Sequence, residues 1–263
     1  MTGMESTLIV SLTGSIELHE WADRLYADGR DDDAFSLIVR QGVMHGLTEF
    51  HGSKGSPRVS WSHHDAGDSW TGSSDAPELI WLQVDTAESA PGRLPLQPIG
   101  ALLDRVLRKV GTPRIDEGDF LIPLGRFPRD PMEFAYDRDW FEFSDPDRSE
   151  VAGIELYASA GEGGGSADVA AVAAVAAVAA TAQAWLGDAA VLAVSDRPAP
   201  GPVAFRGSPY VPLEFLGQVD CTVREWSIEA LAWLTEVLGW AMSSAGCGGH
   251  GLVRLRRQPT ARA

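Results

Sequence analysis

Residues Val151–Gly187, VAGIELYASAGEGGGSADVAAVAAVAAVAATAQAWLG, hold a strand-like run followed by a long alanine-rich one. The first ten residues mix β-branched and aromatic side chains and run into glycines, so they read as a strand. A helix follows. Alanine is the strongest helix former, Ser166 can cap the start, Asp168 suits the positive end of the helix dipole, and Gly187 can stop the helix. Val169, Val172, Val175 and Val178 punctuate it at intervals of three. A helix apolar on every side belongs inside a protein, and its small residues let it lie close to a sheet, with Trp185 anchoring its end. A membrane span needs about 20 strongly apolar residues. Here weakly apolar alanine dominates and Thr181 and Gln183 intervene, so no membrane crossing is expected. GEGGGSAD, between strand and helix, could offer backbone N–H groups to an anion. It lacks the lysine and Ser/Thr of a phosphate-binding loop and the spacing of the dinucleotide fingerprint, so it reads as a connection.

The pattern continues on both sides. AAVLAVSD (Ala189–Asp196) and PLEFLGQV (Pro212–Val219) are predicted strands. VREWSIEALAWLTEVLGWAMSSAG (Val223–Gly246) is a long helix, opened by a capping box of Thr222 and Glu225 and packed through Trp226, Ile228, Leu231, Leu234 and Leu238. HGLVRLRR (His250–Arg257) closes the run as a strand. Upstream, STLIVSLTG (Ser6–Gly14) is a strand, and a helical region from Ile16 to Phe50 is broken by the charge run at Asp28–Asp33. PRVSWSHHD (Pro57–Asp65) and PELIWLQVDT (Pro77–Thr86) are strands, LQPIGALLDRVLRKVG (Leu96–Gly111) is a helix, and DFLIPLG (Asp119–Gly125) is a short strand whose Pro123 fits a sheet edge.

The order β-α-β-β-α-β thus occurs twice, without a residue-by-residue repeat. It is the order of the ferredoxin-like split βαβ motif. The expected fold is α+β, with two ferredoxin-like (βαββαβ) modules packed as a pseudo-twofold pair, each sheet covering the other in a sandwich or barrel. The competing reading is one continuous α+β domain with a larger mixed sheet. The expected division is an N-terminal module over residues 1–126, a proline-, charge- and aromatic-rich connector over 127–150 containing a strand-like DWFEFSD (Asp139–Asp145), and a C-terminal module over 151–263 with a short basic tail.

Composition narrows function. The 263 residues carry 37 acidic against 21 basic side chains, a net charge of −16, which opposes binding to nucleic acid or an anionic bilayer. Two cysteines, Cys221 and Cys247, fit a reducing compartment and have no ligand partners at finger spacing. The first residues lack the basic start and long apolar run of a leader. A cytoplasmic protein without a tightly bound cofactor is expected.

SWSHHDAGDSW (Ser60–Trp70) carries the densest reactive chemistry, and His63, His64, Asp65 and Asp68 are the catalytic candidates, since imidazole paired with carboxylate can act as a general base near neutral pH. Strand alternation separates adjacent histidines, so no structural metal is expected there, and His63, His64 and Asp65 should lie at the strand's end. Cys247 beside His250 is a nucleophile and base pair without an orienting acid. RPAPGPVAFRGSPYVP (Arg197–Pro212) holds five prolines, which reduce the entropy lost on ordering, so Phe205, Arg206 and Tyr210 are the binding candidates. With no complete catalytic constellation, the favoured function is a non-catalytic protein acting through protein–protein contacts, of the inhibitor, immunity, adaptor or assembly-subunit type. The alternatives are a small-molecule enzyme using His/Asp acid–base chemistry in a pocket between the modules, or a regulator binding a small ligand in that pocket.

Overall fold

In the computed structural model the described residues are 7–29, 32–46, 61–68, 70, 78–86, 94–127, 134–159, 167–197, 200 and 212–258. The chain is α+β, as its sequence predicts. The first half comprises β1 (Thr7–Leu18), α1 (Glu20–Ala27), α2 (Ala34–Met44), β2 (Trp61–Asp68), β3 (Glu78–Thr86), α3 (Leu96–Val110) and β4 (Gly111–Pro123). After α4 (Phe134–Glu142) come β5 (Glu150–Ser159), α5 (Ala167–Leu186), β6 (Ala190–Ser195), β7 (Leu213–Val223), α6 (Ile228–Ser244) and β8 (His250–Arg257).

Among the described residues, eight strands form one antiparallel sheet in the order β2-β3-β1-β4-β8-β5-β7-β6. The two halves therefore meet edge to edge along β4 and β8, not face to face, which corrects the sandwich expectation. The reason lies in β4. The sequence reads as a strand only from Asp119, whereas the strand begins at Gly111, through residues too charged to show an apolar alternation. Those charges have cross-strand partners, because Glu117 faces Arg256 and Asp119 faces Arg254 across the seam. Opposite charges directly across an antiparallel pair stabilise that register.

On one face the seam is covered by α3 and α6, which approach closely enough that a Cβ on Gly100 would lie 3.2 Å from the Ala232 Cβ. Phe120, Ile122, Val253 and Leu255 on the strands and Leu103, Leu231 and Leu234 on the helices are all buried between them, each full burial of such a side chain being worth about 1.5–3 kcal/mol. The apolar cluster formed in this way runs through both halves.

Several local readings change. Ile16 belongs to β1, not to a helix. Pro123 lies in a central strand, where it is tolerated as the last strand residue; the next N–H, that of Leu124, donates to the Gly249 carbonyl at 2.9 Å. The start of α6 is capped by Ser227, whose side chain accepts from the Ala230 N–H at 3.1 Å, in place of the Thr222 and Glu225 box; both of those residues precede the helix. DWFEFSD is not a strand: Asp139 to Glu142 complete α4. In α5, Val175 and Val178 are buried but Ala173, Ala176, Ala177, Ala180 and Ala184 are exposed, so one side alone of the alanine helix packs. Gly187 ends it at a φ of +57°, and the residues Ser166, Val169 and Val172 offer no described side chain. Among the described residues no helix is long and apolar enough to cross a membrane.

The outer strand β6 carries no charge and exposes Val191 and Val194, the profile of an edge that recruits other strands. Gln183 of α5 blunts it. Its Oε1 accepts from the Leu192 N–H at 2.8 Å, and its Nε2 donates to the carbonyls of Ala190 and Gly187, both at 3.0 Å. Residues 190 and 192 present their backbone groups on the same side of the strand, so the amide stands in for a missing neighbour. Gln183→Ala is expected to lower stability by about 1–3 kcal/mol, read as a shift of the urea midpoint at constant slope, and to raise the protein's tendency to self-associate in light scattering. An unchanged midpoint would show that the amide contributes nothing there.

Candidate functional site

Among the described residues, the segment that reads as a connector carries the most exposed aromatic surface. In FAYDRDWFE, Phe134 and Phe141 stand seven apart and share one face of α4, while Tyr136 and Trp140, followed by Phe143 just past the helix end, where its N–H still donates to the Asp139 carbonyl at 3.3 Å, are spaced i, i+4 and i+7 on the opposite side. Phe134 meets Trp185 and Trp240 edge-on, at ring distances of 6.4 and 6.1 Å. Phe141 stacks on Trp233 at 4.7 Å with an interplanar angle of 22°. The end of the helix is tied down by side chains: Arg224 Nη1 donates to the Glu142 carbonyl at 3.1 Å, and the Ser144 hydroxyl donates to the Phe141 carbonyl. Glu142 Oε1 also accepts from the Asp188 N–H at 3.4 Å.

The second aromatic face has no such cover. Tyr136 is 80%, Trp140 65% and Phe143 90% exposed, together on the order of 400 Å2 of largely apolar surface. A helix apolar on two faces is normally buried on both. Around this one stand Asp137, Asp139, Asp145 and Asp147, whereas among the described residues Arg138 is engaged with Asp139 and Glu142 at 3.3 and 3.7 Å and Arg148 with Glu150 at 3.8 Å. The site is thus an apolar ridge with an acidic margin, held rigid from beneath.

The strongest polar constellation lies on the other face of the sheet. Arg254 grips Asp119 through Nε at 2.7 Å and Nη2 at 2.6 Å, with Glu117 at 3.4 Å and Glu155 at 3.9 Å. Burial works against the Arg254 cation, but its hydrogen bonds to Asp119 and the surrounding carboxylates carry it above the ordinary arginine value. Burial also raises the Asp119 carboxyl, with Arg254 opposing. The Tyr157 hydroxyl donates to Glu155 at 2.7 Å, and burial, followed by that carboxylate, pushes the phenol up. Every member has a partner within the cluster, so the arrangement serves as a charged clasp across the seam.

The histidine stretch is placed within β2, not at its end, because the strand runs on to Asp68. His63 turns toward α2, with its ring 5.4 Å from Phe35, while His64 is exposed at a bulge in the β2–β3 register between His63 and Asp65. Asp68 Oδ2 accepts from the Ala34 N–H at 2.8 Å, and Asp65 Oδ1 from the Ala66 N–H at 2.9 Å. Both acids therefore have backbone duties, Asp68 at the start of α2. Phe35, Val39, Arg40, His63, His64 and Asp85 line an open cleft of about 590 Å3. Among the described residues no group of three or more His, Cys, Asp or Glu side chains is arranged to hold a metal ion.

Burial pushes the Cys221 thiol up to about 12 and raises that of Cys247, so neither thiolate forms readily at neutral pH. Cys247 is therefore a poor nucleophile for the Cys247 and His250 pair. Phe205, Arg206 and Tyr210 lie outside the described residues; of their loop, Arg197 is placed, 3.6 Å from Asp220. Sequence reasoning missed Tyr136, Trp140 and Phe143, although their helical spacing was there to read. The local string WFEF resembles a strand, which hid it. In comparisons with known proteins, no family model, no curated protein and no solved structure matches the chain.

Proposed function

We propose that the protein works without turnover, by presenting the exposed face of α4 to another protein. The observation that carries this reading is the aromatic ridge of Tyr136, Trp140 and Phe143, seated on a rigid base and left uncovered. Aromatic anchors of this kind dominate interface energetics, and anchors at i, i+4 and i+7 suit a helix laid into an apolar groove. The acidic margin calls for a partner whose groove is bordered by lysine or arginine. A second copy is disfavoured, since each chain carries a net charge of −16 and the margins would repel. The two halves are read as ferredoxin-like modules, a reading supported by the strand order β2-β3-β1-β4, matched from the opposite edge inward to the seam by β6-β7-β5-β8. The proline-rich loop with Phe205, Arg206 and Tyr210 is proposed as a second contact, and the free thiols of Cys221 and Cys247 support a cytoplasmic setting.

The test places a photoreactive phenylalanine analogue at position 140, crosslinks in the source cell, and then measures the purified crosslinked partner against the intact protein. The triple variant Tyr136→Ser, Trp140→Ala, Phe143→Ser should fold normally, because all three side chains are exposed, and should lose about 30-fold or more in affinity, the loss of one hot spot or more. Unchanged affinity, or crosslinks to a second copy alone, would sink the reading.

A further inference from the structure

On the sheet face turned away from α3 and α6, a cleft of about 420 Å3 opens over Gly153 of β5. Gly153 alternates with the buried Ala152 and Ile154, and it is flanked by Asp220 on β7 and Arg256 on β8. Its missing side chain makes the floor. A Cβ placed there would lie 3.1 Å from Gln218 Nε2, 3.2 Å from Gln258 Nε2 and 3.8 Å from Arg197 Nη1; the Gln258 amide is taken by Asp220 Oδ1 at 3.2 Å, so Gln218 and Arg197 supply the donors that converge on this bare backbone position.

Gln218 is the telling residue. It is only 9% exposed, lines the cleft, and among the described residues its carboxamide has no hydrogen-bond partner. Its amide oxygen and nitrogen open on the cleft, where the hydrogen-bonding atoms of a ligand can meet them. Around it stand three guanidinium groups that acids orient without exhausting. Arg257 gives Nε and Nη2 to Glu150 at 3.0 and 2.6 Å, leaving Nη1. Arg256 gives Nε to Glu117 and Nη1 to Glu155, the latter at 3.1 Å, leaving Nη2. Arg197 Nη2 reaches Gln258 Oε1 at 3.5 Å and Asp220 at 3.6 Å, leaving Nη1. The Glu155 carboxylate, the acid in the lining, is already taken by Arg256 and the Tyr157 hydroxyl. Open donors therefore outnumber open acceptors.

We propose that this cleft binds a small molecule bearing an oxyanion, whose carboxylate or phosphoryl oxygens accept hydrogen bonds from Gln218 Nε2 and the arginines above Gly153. The volume suits a small metabolite, and planar guanidinium forks match both oxyanion types. In a chain of net charge −16 an anion is held by such a local donor set and not by the overall field.

The test is calorimetric titration of the full chain in low-salt buffer, with inorganic phosphate in one arm and succinate in the other, distinguishing phosphoryl from carboxylate chemistry. Saturable one-to-one binding is expected in at least one arm. Gly153→Val, which fills the floor and keeps every donor, and Gln218→Leu, which removes the donor and keeps the volume, should each weaken it at least tenfold. Gln218→Leu alone decides the matter if Gly153→Val does not fold. Absence of saturation in both arms, or binding unchanged in Gln218→Leu, would overturn the proposal, the latter showing an ion merely attracted to surface arginines.

Discussion

Replacing Arg254 by alanine is expected to lower the unfolding free energy by about 3–5 kcal/mol, the range for removing one partner of a buried ion pair. The side chain is 8% exposed and faces Asp119 and Glu155, whose side chains are 10% and 8% exposed. Without the guanidinium these carboxylates remain buried with no cation of comparable geometry between them. The pH dependence follows from the same charges. Burial already raises Asp119, and loss of Arg254 raises it further, so the folded variant holds a proton that the unfolded chain has released. That contribution is present at low pH and is lost as pH rises through the raised value, so the deficit against the parent should narrow on acidification. Urea unfolding at pH 5 and pH 7 measures both effects. The double variant Arg254→Leu, Asp119→Leu should recover part of the loss, since it leaves fewer charges without partners; a cost below about 1 kcal/mol for Arg254→Ala would show that the clasp does not hold the seam.

Trp233→Ala should have an effect of similar size, about 3–5 kcal/mol, typical of a large aromatic truncated in a core. Its indole is 1% exposed and forms the surface on which Phe141 stacks. The contribution is apolar, because the indole N–H has no hydrogen-bond partner. Trp233→Phe should therefore cost less than about 1.5 kcal/mol, the lost volume being offset by removal of an unsatisfied donor. Only the alanine variant should loosen α4, seen as faster amide exchange at residues 135 to 142 than elsewhere. Equal costs for the two variants would mean that the N–H matters and the stacking does not. The exposed ridge depends on this base, so the alanine variant should also weaken binding through α4 without touching the ridge itself.

The candidate site was harder to read than the fold because its signals are not local. Tyr136, Trp140 and Phe143 become a face only if the segment is helical, and nothing in its own sequence demands a helix. The helix forms here because Phe134 and Phe141 gain a surface of three tryptophans, Trp185, Trp233 and Trp240, contributed by α5 and α6. Gln183 illustrates the same point. In the sequence it is a polar interruption in an alanine helix, whereas in the fold it closes the edge of β6. His63, His64, Asp65 and Asp68 are conspicuous in the sequence because reactive side chains cluster there, but clustering along the chain does not aim them at a common point.

Outside the connector, local spacing was enough to read most elements and their order, because the apolar pattern of α3, α6, β3 and β5 depends only on neighbours a few residues away. The tertiary structure decided how the halves join. That choice rests on the register of Glu117 and Asp119 against Arg256 and Arg254, residues more than 130 positions apart. Their charges obscure a strand when read alone and stabilise one only when the opposite strand is in place.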